Sequence, residues 1–391
     1  GNHDVAYVVD RQGNLSVWRP SPFPVEIPGL IQEPLVVLVD GNSASASELF
    51  AAAMRDYGYG LIIGTRTFGK GIAQNVFEQP DGSAFKITTE RYYSPNYVTP
   101  DRSGVLPHLV VDANLADEVA RLLCGTAEEQ ASEDVLALRL AGQTWYVHRE
   151  EAVSEASAPA FAELLPAIAP NTPMTLDGQA VTPAEVSQAW GVDYVSRWFD
   201  DVAGSPYGDE INTLASLGVL LGNESGDFAP QSQLTRAELV SMMVQAMGYW
   251  CWESQGSAPF TDVTAEDWYA TAVDIAYNLG LIQGDETGAF RPDDPVDHQQ
   301  FLTILTRMGD PSAPSVVRRL EQVAEEELAA EGVQAYDAWA RPYVVTAEAL
   351  GFLAGPLEEL DPTAPTTREE AAAMLYRMLD YIGILTPVTE E

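Results

Sequence analysis

Hydrophobic and polar positions divide the chain into two regimes. Up to residue 123, short apolar runs alternate with amphipathic stretches. Leu35–Asp40 is aliphatic up to its closing aspartate, which predicts a buried parallel strand. GNSASASELFAAAMRDYGYG follows as a turn and a helix, with Gly58 as its C-terminal stop. Leu61-Ile62-Ile63 predicts a second buried strand, and NVFEQPDGSAFKITTERYY a hairpin around Pro80-Asp81-Gly82. Leu109-Val110-Val111 predicts a last strand, followed by a helix to Leu123 with Asn114 as N-cap. The opening, GNHDVAYVVDRQGNLSVW, reads as strand, turn, strand, from the interior of a longer protein. Together these elements predict an α/β region over 1–125.

TAEEQASED (126–134) is polar and acidic, a linker composition. It opens a small α+β module, 126–195. That module has strands LALRL and TWYVH, a helix around PAFAELLPAIA, and MTLDGQAVT; no chemistry shows in it.

From about 196 the chain repeats. Gly218, Gly222, Gly226, Phe228 and Pro230 recur as Gly280, Gly284, Gly288, Phe290 and Pro292, each offset by 62. A third copy keeps Gly351, Gly355 and Pro362. A helix pattern precedes each block (EINTLASLG, TAVDIAYNLG, VVTAEALG) and another follows it (RAELVSMMVQAMG, QQFLTILTRMG, REEAAAMLYRML). One helix–loop–helix hairpin cannot bury its own apolar stripe, so the three are expected to pack together. The copies span 196–254, 255–310 and 334–391, with an extra helix expected in 311–333.

Charge sharpens this division. Of 20 basic and 58 acidic residues, 1–125 hold 9 and 14, net −5, and the remainder hold 11 and 44, net −33. A total of −38 argues against nucleic acid and anionic membrane as partners. Cys124 and Cys251 are the only cysteines, which excludes a disulfide scaffold and a cysteine-ligated zinc site. No apolar run approaches the ~20 residues of a membrane span.

Two motifs in the first region carry candidate chemistry. The strand–turn–helix at 33–58 puts Ser43, Ser45 or Ser47 at a helix N-terminus, where free N–H groups can stabilise an oxyanion. The plain alternative is a capping box, Ser45-x-x-Glu48. After the second strand comes Arg66-Thr67-Phe68-Gly69-Lys70-Gly71-Ile72-Ala73-Gln74, holding one of only two lysines, Lys70 and Lys86. A desolvated lysine can deprotonate a serine hydroxyl. The alternative is an exposed Gly-Lys-Gly turn. A Ser–His–Asp triad is a rival mechanism, but His3, His108 and His148 sit in no recognisable motif. Asp56 is expected to be structural.

VVLV with SASASE, and TFGKG with Gln74, resemble the C-terminal processing (tail-specific) serine peptidases over about 33–113. RYYSPN and GVLPHLVVD resemble their late strands, with His108 where an acidic residue is usual. The resemblance implies that Ser45 is the nucleophile, Lys70 the general base and Gln74 the residue orienting the lysine. Ala46 would donate its amide to the oxyanion, and no metal or cofactor is needed. Substrates would be proteins or peptides with exposed C-termini. It also implies that 1–125 are the C-terminal half of a catalytic domain of the crotonase or ClpP-like kind, without the upstream half that activity requires.

The repeats resemble S-layer homology repeats. Copy one has Phe199, Asp201 and Thr235-Arg236-Ala237-Glu238; copy two has Phe260, Asp262, Trp268 and Asp297-His298-Gln299-Gln300; copy three has Trp339 and Thr367-Arg368-Glu369-Glu370. The resemblance implies an all-α three-repeat domain that binds cell-wall polysaccharide, often pyruvylated, at the bacterial surface. Arg236 and Arg368 suit a bidentate grip on a carboxylate, or alternatively pair within their own helices. Trp268 and Trp339 read as core aromatics or sugar platforms, with Asp201 and Asp262 completing the expected binding set. Lacking the arginine, copy two is expected to have a weak or empty groove. Two readings follow: a wall-anchored Ser–Lys endopeptidase, and a non-catalytic surface-layer protein with a remnant protease segment.

Overall fold

The computed structural model describes residues 3–20, 34–123, 134–223, 225–249, 259–309 and 314–385. The two cysteines and most of the expected linker fall outside the described residues. Along the sequence the chain divides into two compact units, the first ending at Trp198 and the second beginning at Phe199.

The first unit is mixed α/β. Strands β1 (Ala6–Asp10) and β2 (Leu15–Trp18) form a hairpin, as the opening residues predict. The three aliphatic runs become β3 (Val36–Val39), β4 (Leu61–Gly64) and β7 (Leu109–Val110), a parallel sheet in the order β3-β4-β7. Between β3 and β4 lies α1 (Ala46–Asp56), which ends at Gly58 in the left-handed conformation, φ 62°. Gly64 closes β4 where a Cβ would collide with the Val39 carbonyl. The expected hairpin is β5 (Ile72–Glu78) and β6 (Ala84–Tyr93), turning at Gly82 (φ 84°); it joins the first hairpin in the order β2-β1-β6-β5.

Helix α2 (Ala116–Leu122) corrects one expectation. Its N-cap is Leu115, with no side-chain cap bond. Asn114 is held one step earlier, its amide and side chain both donating to Asp112 Oδ1 (2.8 and 2.9 Å). The aspartate's own turn claims the asparagine before the helix can.

Residues 135–192 contribute a third sheet, β8 (Val135–Leu140), β9 (Gln143–His148), β10 (Met174–Leu176) and β11 (Gln179–Ala180), in the order β11-β10-β8-β9. Helices α3 (Arg149–Ala152), α4 (Ala158–Ala167) and α5 (Pro183–Trp190) accompany it. One continuous core runs from Leu61, Ile63 and Leu109 through Val119 to Phe161, Leu164 and Val192. The expected 126–195 module and the parallel sheet therefore share their hydrophobic interior.

The second unit is helical. The three expected hairpins are α6 (Gly208–Ser216) with α7 (Arg236–Met247), α8 (Ala270–Asn278) with α9 (His298–Gly309), and α13 (Arg341–Ala349) with α14 (Arg368–Tyr381). Between the last two hairpins the chain makes three short helices, α10 (Pro314–Glu321), α11 (Glu325–Leu328) and α12 (Glu331–Gln334), where one was expected.

A cyclic set of backbone hydrogen bonds closes the three repeats. Leu234 N donates to Thr366 O (2.9 Å), Thr366 N to Val296 O (2.8 Å) and Val296 N to Leu234 O (2.9 Å). A second ring serves the first residues of α7, α9 and α14. Arg236 N donates to Asp294 O, His298 N to Ala364 O and Arg368 N to Ser232 O, at 2.9–3.2 Å. The following amides, Ala237, Gln299 and Glu369, donate to the carbonyls of Pro292, Pro362 and Pro230. Each hairpin thus caps the second helix of the preceding one with its own loop, Phe-x-Pro in the first two repeats and Leu-Asp-Pro in the third, satisfying donors the helix cannot satisfy itself.

The conserved-spacing residues of each loop have packing reasons. A Cβ at Gly222 or Gly284 would come within 2.9 Å of the Phe199 or Phe260 ring. Ala229 and Arg291 sit at φ 57° and 58°, costly for residues with a Cβ. Asp201 holds the amides of Phe228 and Ala229 (3.1 and 2.7 Å), and Asp262 those of Phe290 and Arg291 (both 2.7 Å). Both carboxylates, expected in the polymer site, have all their described bonds within the fold. Replacing Asp262 with alanine removes two charge-assisted bonds and should cost about 2–4 kcal/mol. Denaturant unfolding measures this, and a loss below about 0.5 kcal/mol, the range of an ordinary surface substitution, would contradict it.

Candidate functional site

The strand-to-helix turn after β3 holds Ser45 at φ 59°, ψ −115°, a conformation that L residues rarely adopt. Such strain costs about 1–3 kcal/mol and persists only when its surroundings impose it. Here they do. The Ser45 amide donates to Glu48 Oε2 at 2.7 Å, the returning half of a capping box. A bond to a charged acceptor is worth about 1.5–3 kcal/mol, enough to offset the strain. The Ser45 hydroxyl lies over the Glu48 amide in box arrangement, yet makes no cap hydrogen bond there. The capping alternative thus accounts for Glu48 but leaves the hydroxyl uncommitted.

Glu48 does more than start a helix. It is fully buried, and its two oxygens accept four hydrogen bonds. Oε1 takes the Thr67 hydroxyl and the Gly69 amide, each at 2.6 Å. Oε2 takes the Ser45 amide and, at 2.8 Å, the Lys70 amide. One carboxylate therefore ties the backbone of Ser45 to that of Lys70. Four donors solvate a group that would otherwise be expensive to bury. The sequence shows Ser45-x-x-Glu48 as a local box; the other three partners lie 19–22 residues away and carry no local signal.

The Gly-Lys-Gly segment is not an exposed turn. Gly69 and Gly71 are buried, and Lys70 is half-buried. At Gly69 (φ 90°) a Cβ would sit 2.9 Å from the Arg102 backbone, and at Gly71 it would collide with Asp101. Arg102 N donates to Gly69 O (2.8 Å) and Tyr92 N to Gly71 O (2.7 Å), so the lysine is fixed from both sides. Phe68 N donates to Ser43 O (3.0 Å), a further stitch between the two motifs. Ala46, the first residue of α1, is exposed, and its amide makes no hydrogen bond among the described residues.

The remaining candidates lie around this core. Gln74 sits on β5 beside a register shift, and its side chain donates to Thr88 Oγ1 (3.4 Å) across the strands. Asp56 is buried beside Arg55 (3.2 Å) and accepts the Ser94 hydroxyl (2.5 Å) and the Asn96 amide (3.0 Å), a structural set. His3 is exposed and packs its ring against Tyr57. His148 ends β9 as the N-cap of α3. His108 bridges two strands: its Nδ1 accepts the Ile62 amide (2.9 Å) and its own amide donates to Ile62 O. Burial, with help from the positive charge of Arg55, draws its pKa down to about 3. A neutral imidazole whose Nδ1 is spent on backbone is a poor general base.

In the repeats the arginines stack on a neighbouring hairpin. Arg236 lies 4.9 Å over the Phe290 ring and donates Nε–H to Phe290 O (2.8 Å). Arg368 lies 4.9 Å over Phe228 and donates Nε–H to Phe228 O (2.8 Å). Neither forms an intrahelical pair with an acid among the described residues. Trp268 and Trp339 are 66% and 49% exposed, so both are surface aromatics. Trp339 Nε1 donates to Asp337 (3.3 Å), and Trp268 meets Tyr269 edge-on. His298, standing where the other copies have arginine, is buried, with Nδ1 2.8 Å from Asp361 O.

Fold and geometry thus define two classes of module, a mixed α/β segment with a strained serine at a strand-to-helix turn and a cyclic three-hairpin helical region. Residues 5–111 match the family model of Peptidase family S41, and 199–240, 259–302 and 333–372 match the S-layer homology domain. The chain carries an S41 peptidase segment followed by three S-layer homology repeats. The carboxyl-terminal-processing protease of Picosynechococcus sp. is 38% identical over 107 residues, 27% of this chain and 25% of that protein. Carboxyl-terminal-processing peptidase 3, chloroplastic, of Arabidopsis thaliana is 36% identical over 122 residues, 30% of this chain and 22% of that protein. The amylopullulanase of Thermoanaerobacterium thermosulfurigenes is 31% identical over 191 residues, 48% of this chain and 10% of that protein. A solved photosystem II D1 C-terminal processing protease aligns at 35% identity over 32% of each chain, with a TM-score of 0.27. The chain therefore spans between a tenth and a quarter of the length of these curated relatives.

His108 yields a prediction of its own. Its folded pKa lies below the ordinary 6.5, so protonation favours the unfolded chain. Its stabilisation is complete above about pH 6.5 and lost as pH falls toward about 3. Within that window it should add up to about 1.4 kcal/mol per pH unit to the slope of stability. His108→Asn, which keeps an acceptor for the Ile62 amide without titrating, should flatten that slope in denaturant melts. An unchanged slope would show that the histidine is not buried neutral.

Proposed function

We propose that the first unit is the catalytic part of a serine endopeptidase of the C-terminal processing type, tethered through its repeats to cell-wall polysaccharide. The observation that carries the catalytic half is the Glu48 carboxylate, which fixes Ser45 and Lys70 through their backbones, while the Lys70 side chain has no hydrogen-bond or ion-pair partner among the described residues. In this reading Ser45 Oγ attacks the scissile carbonyl while Lys70 Nζ takes its proton, and Lys70 returns that proton to the leaving amine. The Ala46 amide, at the positive end of α1, donates to the developing oxyanion. Gln74 orients the lysine once the site is complete. This reading calls on no metal. Substrates are polypeptides with free, apolar C-termini.

A second reading treats the chain as a wall-binding protein whose peptidase segment is inactive as it stands. Leu38, Phe50 and Phe68, on the elements that carry the serine and lysine, are each about half exposed. The elements that would bear the reaction thus turn apolar side chains to solvent. A fluorophosphonate label decides between the readings. The first requires labelling of the full chain, its loss in Ser45→Ala, and a fall of at least about a hundredfold in Lys70→Ala, the scale of a general base. Labelling that survives both substitutions excludes the dyad, and no labelling of the native chain favours the second reading.

Wall attachment rests on the repeats and on their two surface tryptophans. No helix among the described residues is long and apolar enough to cross a membrane. The full chain should sediment with purified bacterial sacculi. Replacing Trp268 and Trp339 together with alanine should weaken that retention by about tenfold, a typical effect of removing exposed aromatic anchors. Retention equal to the native chain would remove them from the binding surface.

A further inference from the structure

The seam between the second and third hairpins differs from the other two. His298 N and Gln299 N reach the carbonyls of Ala364 and Pro362 at 3.2 Å each, whereas the equivalent bonds at the other seams are 2.9–3.0 Å. Leu360 stands where the other loops have Phe228 and Phe290, so an aliphatic side chain replaces the ring on which each arginine stacks. With longer backbone bonds and no stacked guanidinium, this seam leans on the side chain of His298.

That side chain is buried, and its Nδ1 lies 2.8 Å from Asp361 O. A carbonyl can only accept, so Nδ1 carries a proton. Nε2 is buried too, makes no hydrogen bond, and lies 3.5 Å from Glu370 Oε2. The same carboxylate oxygen accepts the amide and hydroxyl of Thr367 at 2.8 and 2.7 Å, which holds it in place. A lone pair on Nε2 would face that oxygen away from water, whereas a second ring proton turns the repulsion into attraction.

The charges around the imidazole favour the proton. The carboxylates that bear on it are Glu370 and, just before α9, Asp297. Asp337 accepts from the Gln299 side chain. Of the other helices packed on α9, α13 carries Arg341, donating to Tyr336 O, and Glu348, which acts on Tyr336. On α7, Arg236 donates to Phe290 O and Glu238 pairs with Arg368 of α14. Glu369, beside Glu370, accepts from Ser205 and Gln231. Each cation among these is committed elsewhere. Burial draws the imidazole pKa down, but the Glu370 carboxylate, the Asp361 carbonyl and the Asp297 charge outweigh it, and the net shift is upward from 6.5. Burial pushes the Glu370 carboxyl up, and His298 and Thr367 more than reverse this, to about 2.

We propose that His298, held between Asp361 O and Glu370, is a proton-dependent clasp that makes the firmness of the seam between the second and third hairpins follow the pH of the surroundings. The other two seams carry arginine, a permanent cation. Folding raises the histidine, so its contribution is complete below about pH 6.5 and is lost as pH rises through the folded value. Folding lowers Glu370, so its contribution is complete above about pH 4.5 and is lost as pH falls toward about 2. The clasp is strongest between those limits, and alkaline surroundings weaken it. This goes beyond wall attachment and holds whatever the repeats bind.

The test uses the full chain. Its four histidines, His3, His108, His148 and His298, give four ring Cε1–H signals in NMR, and the one missing from His298→Arg belongs to the clasp. In the native chain that signal should titrate above 6.5. In Glu370→Gln, which can still close the capping box with Thr367, it should titrate about one unit or more lower. Denaturant unfolding of the helical unit from about pH 6 to about pH 9 gives the second readout. The folding constant of the native chain should fall relative to that of His298→Arg, about tenfold for each unit by which the folded value exceeds the ordinary one. Taking the ratio at each pH cancels titrations elsewhere. His298→Gln, with neither charge nor added bulk, is a second non-titrating reference against which the same fall is expected. A His298 signal that titrates at or below 6.5, one that stays put in Glu370→Gln, or a ratio that is flat against both references would overturn the clasp.

Discussion

An α-helix cannot satisfy its own first N–H groups, and both candidate sites are built on that deficit. In the first unit the deficit at α1 is met unevenly. Glu48 returns to the Ser45 amide, and the amide of Ala46 beside it makes no hydrogen bond among the described residues. A donor left open at the positive end of a helix, next to a strained serine, is what acyl-transfer chemistry needs. In the second unit the deficit is met collectively, because each hairpin's loop carbonyls cap the preceding hairpin's second helix. The repeats close into a cycle because each leaves a need that its neighbour supplies.

The two solutions differ in what they fix. The cyclic bonds fix backbone only, which is why the side chains at the three junctions are free to diverge in charge. Glu48 fixes backbone at two distant points at once, so its removal would loosen the serine turn and the lysine segment together. Its burial is tolerable because Thr67, Gly69, Ser45 and Lys70 all donate to it. Thr67 in turn accepts the Val105 amide at 2.7 Å, which carries the anchoring into the segment leading to β7.

Periodicity and punctuation made most elements legible: the aliphatic runs of the parallel sheet, the turn at Gly82, the stop at Gly58, and the repeated hairpins, the first two spaced by 62. What stayed hidden lies in partners distant along the chain. Nothing local to Glu48 marks its bonds to residues 67–70. The sequence offers the arginines a partner in their own helices or a ligand, whereas each stacks on a phenylalanine of another hairpin. Asp201 and Asp262 were placed with the ligand because the motif contains them, yet their oxygens hold left-handed backbone. Asn114 shows the limit even of local reading: two plausible turn formers stood two residues apart, and Asp112 took the bond.

The same logic bears on what a motif residue means. In a cyclic array, a position can recur because the cycle needs it or because a ligand does, and the two cases separate by what happens when one copy departs. Where the third position of the receiving helix keeps glutamate, it faces the incoming Arg368 or His298 side chain, and both of those are buried. Where it becomes glutamine, the backbone bonds are unchanged, with Arg236 N still 3.0 Å from Asp294 O, and only the charge balance differs. Closure therefore does not depend on the glutamates. They act on side chains at the junctions and not on the backbone that closes the cycle.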